Sequence, residues 1–199
     1  VSLLVLLLGC TQPEKKTETG MEEKVEKKQE AKVDEKPEVK VYKIGFLGPL
    51  TGDVANFGEG AKNAVELAGD ELNEGWKAKN MKLEVVYEDG QCTPKVAATA
   101  GKKLIEVDKV RAMVGGLCSG ETLSVAPTAE KAKVVMISPC SSSPKVTDAG
   151  DYIFRAYPSD AFLGLAAADY AYNDLSARKA AIFYSQSDWG VGLHDVFKK

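Results

Sequence analysis

Two serine-bearing turns hold the side chains whose types and spacing can do chemistry. Gly115-Gly116-Leu117-Cys118-Ser119-Gly120 sets a hydroxyl where a helix is about to begin, behind glycines that let the backbone come close to a ligand. A helix N-terminus offers unpaired N–H groups and about half a positive charge, so Ser119 and the amides after it form an anion site without any lysine or arginine. The second turn, Ser138-Pro139-Cys140-Ser141-Ser142-Ser143-Pro144, is a run of hydroxyls between prolines. Ser141 and Ser142 can accept from an ammonium as well as donate to a carboxylate. Together the two turns suit a zwitterion. The plainer role for Ser119 is a helix N-cap, which is worth about 1 kcal/mol. A third loop, Gly48 to Gly58, exceeds the roughly two to six residues of an ordinary connection and carries the aromatic Phe57 at its far end.

Other chemistries fit poorly. Ser119 and the single histidine, His194, are ingredients of an acyl-transfer triad, but a nucleophile elbow needs G-x-S-x-G and Ser119 has Leu117 and Glu121 at the glycine places. Gly190-Val191-Gly192 continues as Leu193-His194-Asp195 without the third glycine of a dinucleotide fingerprint. Four cysteines and one histidine, with no C-x-x-C or H-E-x-x-H, leave no metal site to assemble, and no cofactor is expected. Lys and Arg number 26 against 29 Asp and Glu, a net charge of −3, which gives no positive field for nucleic acid.

The turns need strands and helices to hold them. At 199 residues and 44% apolar side chains, the chain can bury one sizeable core or about one and a half domains. Lys43–Leu47 reads as a buried strand, and apolar residues from Ala61 to Leu72 recur at helical spacing. Lys82–Tyr87 reads as a second strand, Val96–Val107 as a helix opened by Thr93-Pro94, and Ala112–Val114 as a third strand. Gly120–Lys131 is expected to be helical, Val134–Ile137 and Tyr152–Arg155 strands, Asp160–Asn173 a helix, Lys179–Tyr184 a strand and Asp188–Phe197 a helix. This order predicts an α/β fold, a parallel sheet with helices on both faces. In such sheets ligands bind outside the carboxyl ends of the strands, where the three unusual loops lie.

The first 40 residues are of another kind. Residues 1–10, VSLLVLLLGC, are apolar over about half the length a membrane span needs. An apolar run ending in Gly9-Cys10 resembles a bacterial lipobox, with Cys10 the acylated residue. No basic stretch precedes it, so a clipped or unusually started signal is expected. Residues 11–40 carry 17 charged side chains, nine acidic and eight basic, and no aromatic, which predicts a disordered tether.

The stretches GFLGPLTGDVANFGEGAKNAVELAGDELN, YEDGQCTPKVAATAGKKLI, GGLCSGETLSVAPTAEKAKVVMISPCSSSPKVT and YIFRAYPSDAFLG resemble the leucine/isoleucine/valine-binding proteins, type I periplasmic substrate-binding proteins of ABC importers. The likeness covers about residues 42–199. It implies two α/β lobes around a cleft, with residues 41–158 forming the first lobe and residues 159–199 a crossover helix and the start of a second. By the same resemblance Ser119 holds a ligand carboxylate, and Ser142 contacts both carboxylate and ammonium. Cys140 stands where a small residue turns its carbonyl to the ammonium, and Ser141 replaces a usual alanine. Phe57 takes the place of a cleft-lining tyrosine, and Trp189 that of an aromatic closing from the second lobe.

The resemblance also implies a disulfide between Cys92 and Cys118, with Cys118–Cys140 as a competing pairing and a free Cys140 otherwise. A bridge of this span stabilises by roughly 3 to 4 kcal/mol in the chain-entropy account. The function implied is non-enzymatic: a monomeric, lipid-anchored, extracytoplasmic protein that captures a small polar solute, an amino acid of branched-chain type, and hands it to ABC permease subunits. A sensor or receptor ligand-binding domain on the same fold is the alternative.

Overall fold

The computed structural model describes residues 38–199. Cys10, the apolar run before it and most of the expected tether lie outside the described residues. Lys40, which the sequence puts at the end of the tether, is already paired with Met81.

Five strands form one sheet: β1 (Lys40–Gly48), β2 (Met81–Asp89), β3 (Ala112–Gly115), β4 (Val135–Ser138) and β5 (Ile153–Arg155). Their spatial order is β2-β1-β3-β4-β5, and every adjacent pair is parallel. Parallel neighbours require crossovers, supplied by α1 (Ala55–Trp76), α2 (Pro94–Glu106) and α3 (Ser119–Ala132), and by a short 3-10 segment at Pro144–Asp148 before β5. The order reverses at β1, so the chain winds outward in both directions from the centre. This is the predicted fold class.

Register decides what each face buries. Gly45, Met113, Met136 and Ile153 are paired across four strands, and side chains in such a row share a face. That row packs with Leu47, Leu104, Val125, Ala129 and Val146 into the main core. Small residues bring α2 and α3 together: a Cβ on Gly101 would lie 2.6 Å from both Val125 methyls. The next row, Tyr87, Phe46, Val114, Ile137 and Phe154, faces the other way. There α1 covers only β1 and β2, with Trp76 edge-on to Tyr42, and Ile137 and Phe154 are exposed. The Asn73 carboxamide of α1 accepts from the Leu83 N–H at 2.7 Å and donates to the Leu83 carbonyl at 3.1 Å, fixing the helix to edge strand β2.

After β5 come α4 (Asp160–Asp169), a wider π-helical turn at Tyr170–Asp174, and α5 (Asp188–Phe197). Lys179–Tyr184 is not a strand, contrary to its apolar pattern, and Phe183 is 98% exposed. A strand needs a neighbour to take its N–H and C=O groups, and none lies beside this run among the described residues. No helix of the described residues is long and apolar enough to cross a membrane.

Candidate functional site

Because all five strands run the same way, their carboxyl ends gather the connecting loops at one edge of the sheet. A cavity of about 630 Å3 opens there. Phe57 lines it from the loop and helix after β1, Ser119 from the start of α3, and Cys140 and Ser142 from the loop after β4. Tyr157, which follows β5, and Trp189 of α5 complete an aromatic side. The structure therefore brings five of the six sequence-predicted ligand residues to one cavity. Ser141 is the sixth, and it does not line the cavity. It is 1% exposed, with its hydroxyl 2.7 Å from that of Thr122 and 3.2 Å from the Gly116 carbonyl, to which it donates.

Only part of the hydroxyl run therefore faces the opening. Ser138 at the end of β4 also donates to the Gly116 carbonyl, at 2.6 Å, and accepts from the Ser141 amide at 3.0 Å. These bonds lash the loop after β4 to the loop after β3. The Ser142 hydroxyl donates to the Asp160 carboxylate at 2.8 Å, and the Asp160 amide donates to the Ser142 carbonyl at 2.8 Å. Asp160 is 5% exposed, so α4 starts from a buried carboxylate fixed to the cavity wall. Arg155 holds the same loop from beneath, donating to the Ser143 carbonyl at 2.8 Å. Ser142, with its proton committed to Asp160, keeps acceptor lone pairs that could serve a cation in the cavity.

Ser119 is the first residue of α3, and Cys118 rather than Ser119 takes the cap position. The reason lies three residues on: the Glu121 carboxylate accepts from the Cys118 amide at 3.0 Å, the back-bonding half of a capping box. The Ser119 hydroxyl instead accepts from the Ser143 amide at 3.2 Å, a link between the two serine turns. Ser119 and Gly120 both line the cavity, and their amides stand in the first turn, with no preceding turn to receive them. No lysine or arginine is among the lining residues. Anion capture at this edge would fall to amides and hydroxyls alone.

Cys92 and Cys118 form a disulfide with Cα atoms 5.4 Å apart, and Cys140 is a free thiol at the cavity wall. Burial pushes the Cys140 thiol up, which keeps it protonated near neutrality. On the neighbouring rim, Asp89 at the end of β2 accepts from the amides of Leu50 and Gln91, each at 2.9 Å, and from the Thr51 hydroxyl. Burial by itself would raise its carboxyl. The Thr51 hydroxyl and the amides of Gln91, Leu50 and Thr51 together outweigh that and hold it below the ordinary range.

The sequence reading missed Asp160, Tyr157 and Glu121, and also Asp188 of α5, which lines the cavity. Glu121 stands three residues after the cap Cys118, but cysteine is not a usual cap residue, so the spacing of a capping box was not legible. Asp160 had no signal, because its partner Ser142 lies 18 residues away. His194 lies apart from Ser119: it stacks on Tyr184, and its ring Nδ1 is 2.9 Å from Asp195 Oδ1. No cluster of three or more His, Cys, Asp or Glu side chains among the described residues is placed to hold a metal ion.

Known proteins resemble this chain in family and fold. The family described as "Periplasmic binding protein" matches residues 41–199. An "Amino acid binding protein" of Pseudomonas aeruginosa is 34% identical over 154 residues, 77% of this chain and 41% of its own length. The branched-chain amino acid transporter substrate binding protein of Streptococcus pneumoniae, solved in complex with isoleucine, superposes with a TM-score of 0.71 at 31% identity, over 80% of this chain and 46% of that one. A solute binding protein of an ABC transporter from Rhodopseudomonas palustris, solved with 3,4-dihydroxybenzoic acid, gives 0.69 at 27% identity, over 79% and 43%. The chain spans about two fifths of the length of the curated relatives it matches.

Proposed function

The chain belongs to the periplasmic binding protein family, and from that premise we propose that it serves as the solute-capturing part of an ABC-type importer, taking up an amino acid of branched-chain type. The observation that carries the reading is the strand-tip cavity, where Ser119, first-turn amides and Ser142 face an aromatic side formed by Phe57, Tyr157 and Trp189. The α-carboxylate sits on the Ser119 hydroxyl and the Ser119 and Gly120 amides, because a helix start favours negative charge. The ammonium sits on Ser142, whose lone pairs are free once its proton is given to Asp160. The Cys140 carbonyl is a second acceptor for it. The aliphatic side chain rests on the aromatics, gaining about 25 cal/mol for each Å2 of apolar surface removed from water.

No bond is made or broken in this reading: the solute is released unaltered to permease subunits. Trp189 adds its contacts by hinge closure of the segment that carries it. Cys10 is the lipid attachment point, the charged residues from 11 up to the start of β1 at Lys40 are a spacer, and the protein works outside the cytoplasm as a monomer. Relatives named for amino-acid or solute binding support a binding role over an enzymatic one.

The test is a calorimetric titration of the full-length protein with L-leucine, L-isoleucine, L-valine and 4-hydroxybenzoate. At least one branched-chain amino acid is expected to bind, and Ser119→Ala with Ser142→Ala is expected to weaken it about a hundredfold or more. Unchanged affinity in that double variant would place the solute elsewhere. Binding of the hydroxybenzoate alone would replace the amino acid by an aromatic carboxylate.

A further inference from the structure

Glu121 is wholly buried, at 0% exposure, and does not line the cavity. Its carboxylate accepts three backbone N–H groups from two loops. Oε1 takes the Cys92 amide at 3.0 Å, while Oε2 takes those of Leu117 at 2.9 Å and Cys118 at 3.0 Å. Room for it is made by two residues without side chains: a Cβ on Gly90 would fall 2.2 Å from Oε1, and one on Gly116 would fall 2.4 Å from the Glu121 Cβ. The next residue, Thr122, donates its hydroxyl to the Gly116 carbonyl at 3.0 Å, so the same turn of α3 grips the loop after β3 twice.

The residues so joined include the two that form the disulfide. The disulfide connects them through side chains with several rotatable bonds, which fixes a distance and leaves the peptide planes free to turn. The carboxylate acts on the peptide planes themselves. The Leu117-Cys118-Ser119 planes aim the first amides of α3 at the cavity.

We propose that Glu121 is a positioning residue, whose carboxylate holds the Leu117-Cys118-Ser119 turn in its solute-receiving geometry whether or not the Cys92–Cys118 bridge is formed. This rests on the reading that the turn receives the solute. An amide cannot replace the carboxylate, because it has one acceptor oxygen and its NH2 would meet an N–H already pointing inward. Burial pushes the Glu121 carboxyl above the ordinary range, aided by the negative charge of Asp89, while the three N–H donors pull the other way.

The experiment follows the Cys92, Leu117 and Cys118 amides of the full-length protein by NMR-detected hydrogen exchange, with L-leucine titrations in parallel. In the wild type these amides are expected to stay protected after the disulfide is reduced. In Glu121→Gln they are expected to exchange at least about tenfold faster, and leucine to bind at least about tenfold more weakly. Gly101→Ala, which presses on Val125 further along α3 and touches none of the Glu121 hydrogen bonds, is expected to lower the melting temperature while leaving leucine affinity within about twofold and speeding those amides less than Glu121→Gln does.

Loss of protection on reduction of the wild type would assign the turn to the disulfide and overturn the proposal, even if Glu121→Gln fails to fold. Wild-type exchange in Glu121→Gln would overturn it too. The exchange measurements need no solute. Failure of the wild type to bind any of leucine, isoleucine and valine would count against the functional reading and leave the exchange result to decide the role of Glu121.

Discussion

On the face of the sheet that carries α2 and α3, Met113, Met136 and Ile153 stand side by side and are almost wholly buried. One residue further along the same strands, Val114, Ile137 and Phe154 point the other way, and the last two are 44% and 50% exposed. Both faces of the strands carry apolar side chains, as expected when helices cover each side, and the α1 face carries more of them. The cover makes the difference. Ala97, Ala100, Gly101 and Ala129 let two helices lie close over one face, whereas the single helix α1 reaches only β1 and β2 on the other. Strand composition alone is therefore a poor guide to which face carries the stability.

The sharpest way to break this comparison is to cut a side chain from each face. Leu104→Ala, on the α2 side, is expected to cost about 4 kcal/mol in urea unfolding, and Ile137→Ala less than about 1 kcal/mol. Equal losses would mean that both faces are packed alike. Reduction of the Cys92–Cys118 bridge, which ties the approaches to α2 and α3, is expected to cost about 3 kcal/mol at equilibrium.

A pair of glycine substitutions reads the helices directly. Gly101→Ala in α2 drives a methyl into Val125 and is expected to destabilise by about 2 kcal/mol. Gly60→Ala in α1 meets nothing within 4 Å and is expected to stabilise by about 0.5 to 1 kcal/mol. Thermal unfolding of the two variants would show opposite shifts.

The smallest effect is electrostatic and belongs to the α1 side, where Asp89 holds the loop that leads into that helix. Its carboxyl is lowered on folding, so its stabilisation is present above the ordinary carboxylate range and is lost as the pH falls through the lowered value. Asp89→Asn is expected to cost under about 1 kcal/mol at neutral pH and to shrink toward zero in acid. A constant difference across a pH series of melting temperatures would show that the charge is not what matters.

Much of this was legible beforehand. Apolar runs bounded by turn residues give β1 to β5, and α5 begins and ends where the sequence puts it, at Asp188 and Phe197. The run at 179–184 misleads because strand character belongs to pairs of chains, and periodicity reports only one of them. The serine run of 138–143 is a similar case. Its composition announces hydroxyl chemistry, yet which hydroxyls face the cavity depends on how the backbone turns between two prolines. Ser142 faces the opening, while Ser138 and Ser141 bond the Gly116 carbonyl. Asp160 becomes part of the site only through folding, since nothing in its neighbours announces Ser142 as a partner.

Asn73 has a meaning beyond fastening a helix. An edge strand exposes a ladder of unsatisfied donors and acceptors on which a stray extended chain can grow, and such growth starts aggregates. The Asn73 carboxamide imitates a peptide group at Leu83 and so occupies a rung of that ladder. One rung near the start of the outer margin is thereby plugged by a side chain of the fold itself, which shortens the template left for a passing strand.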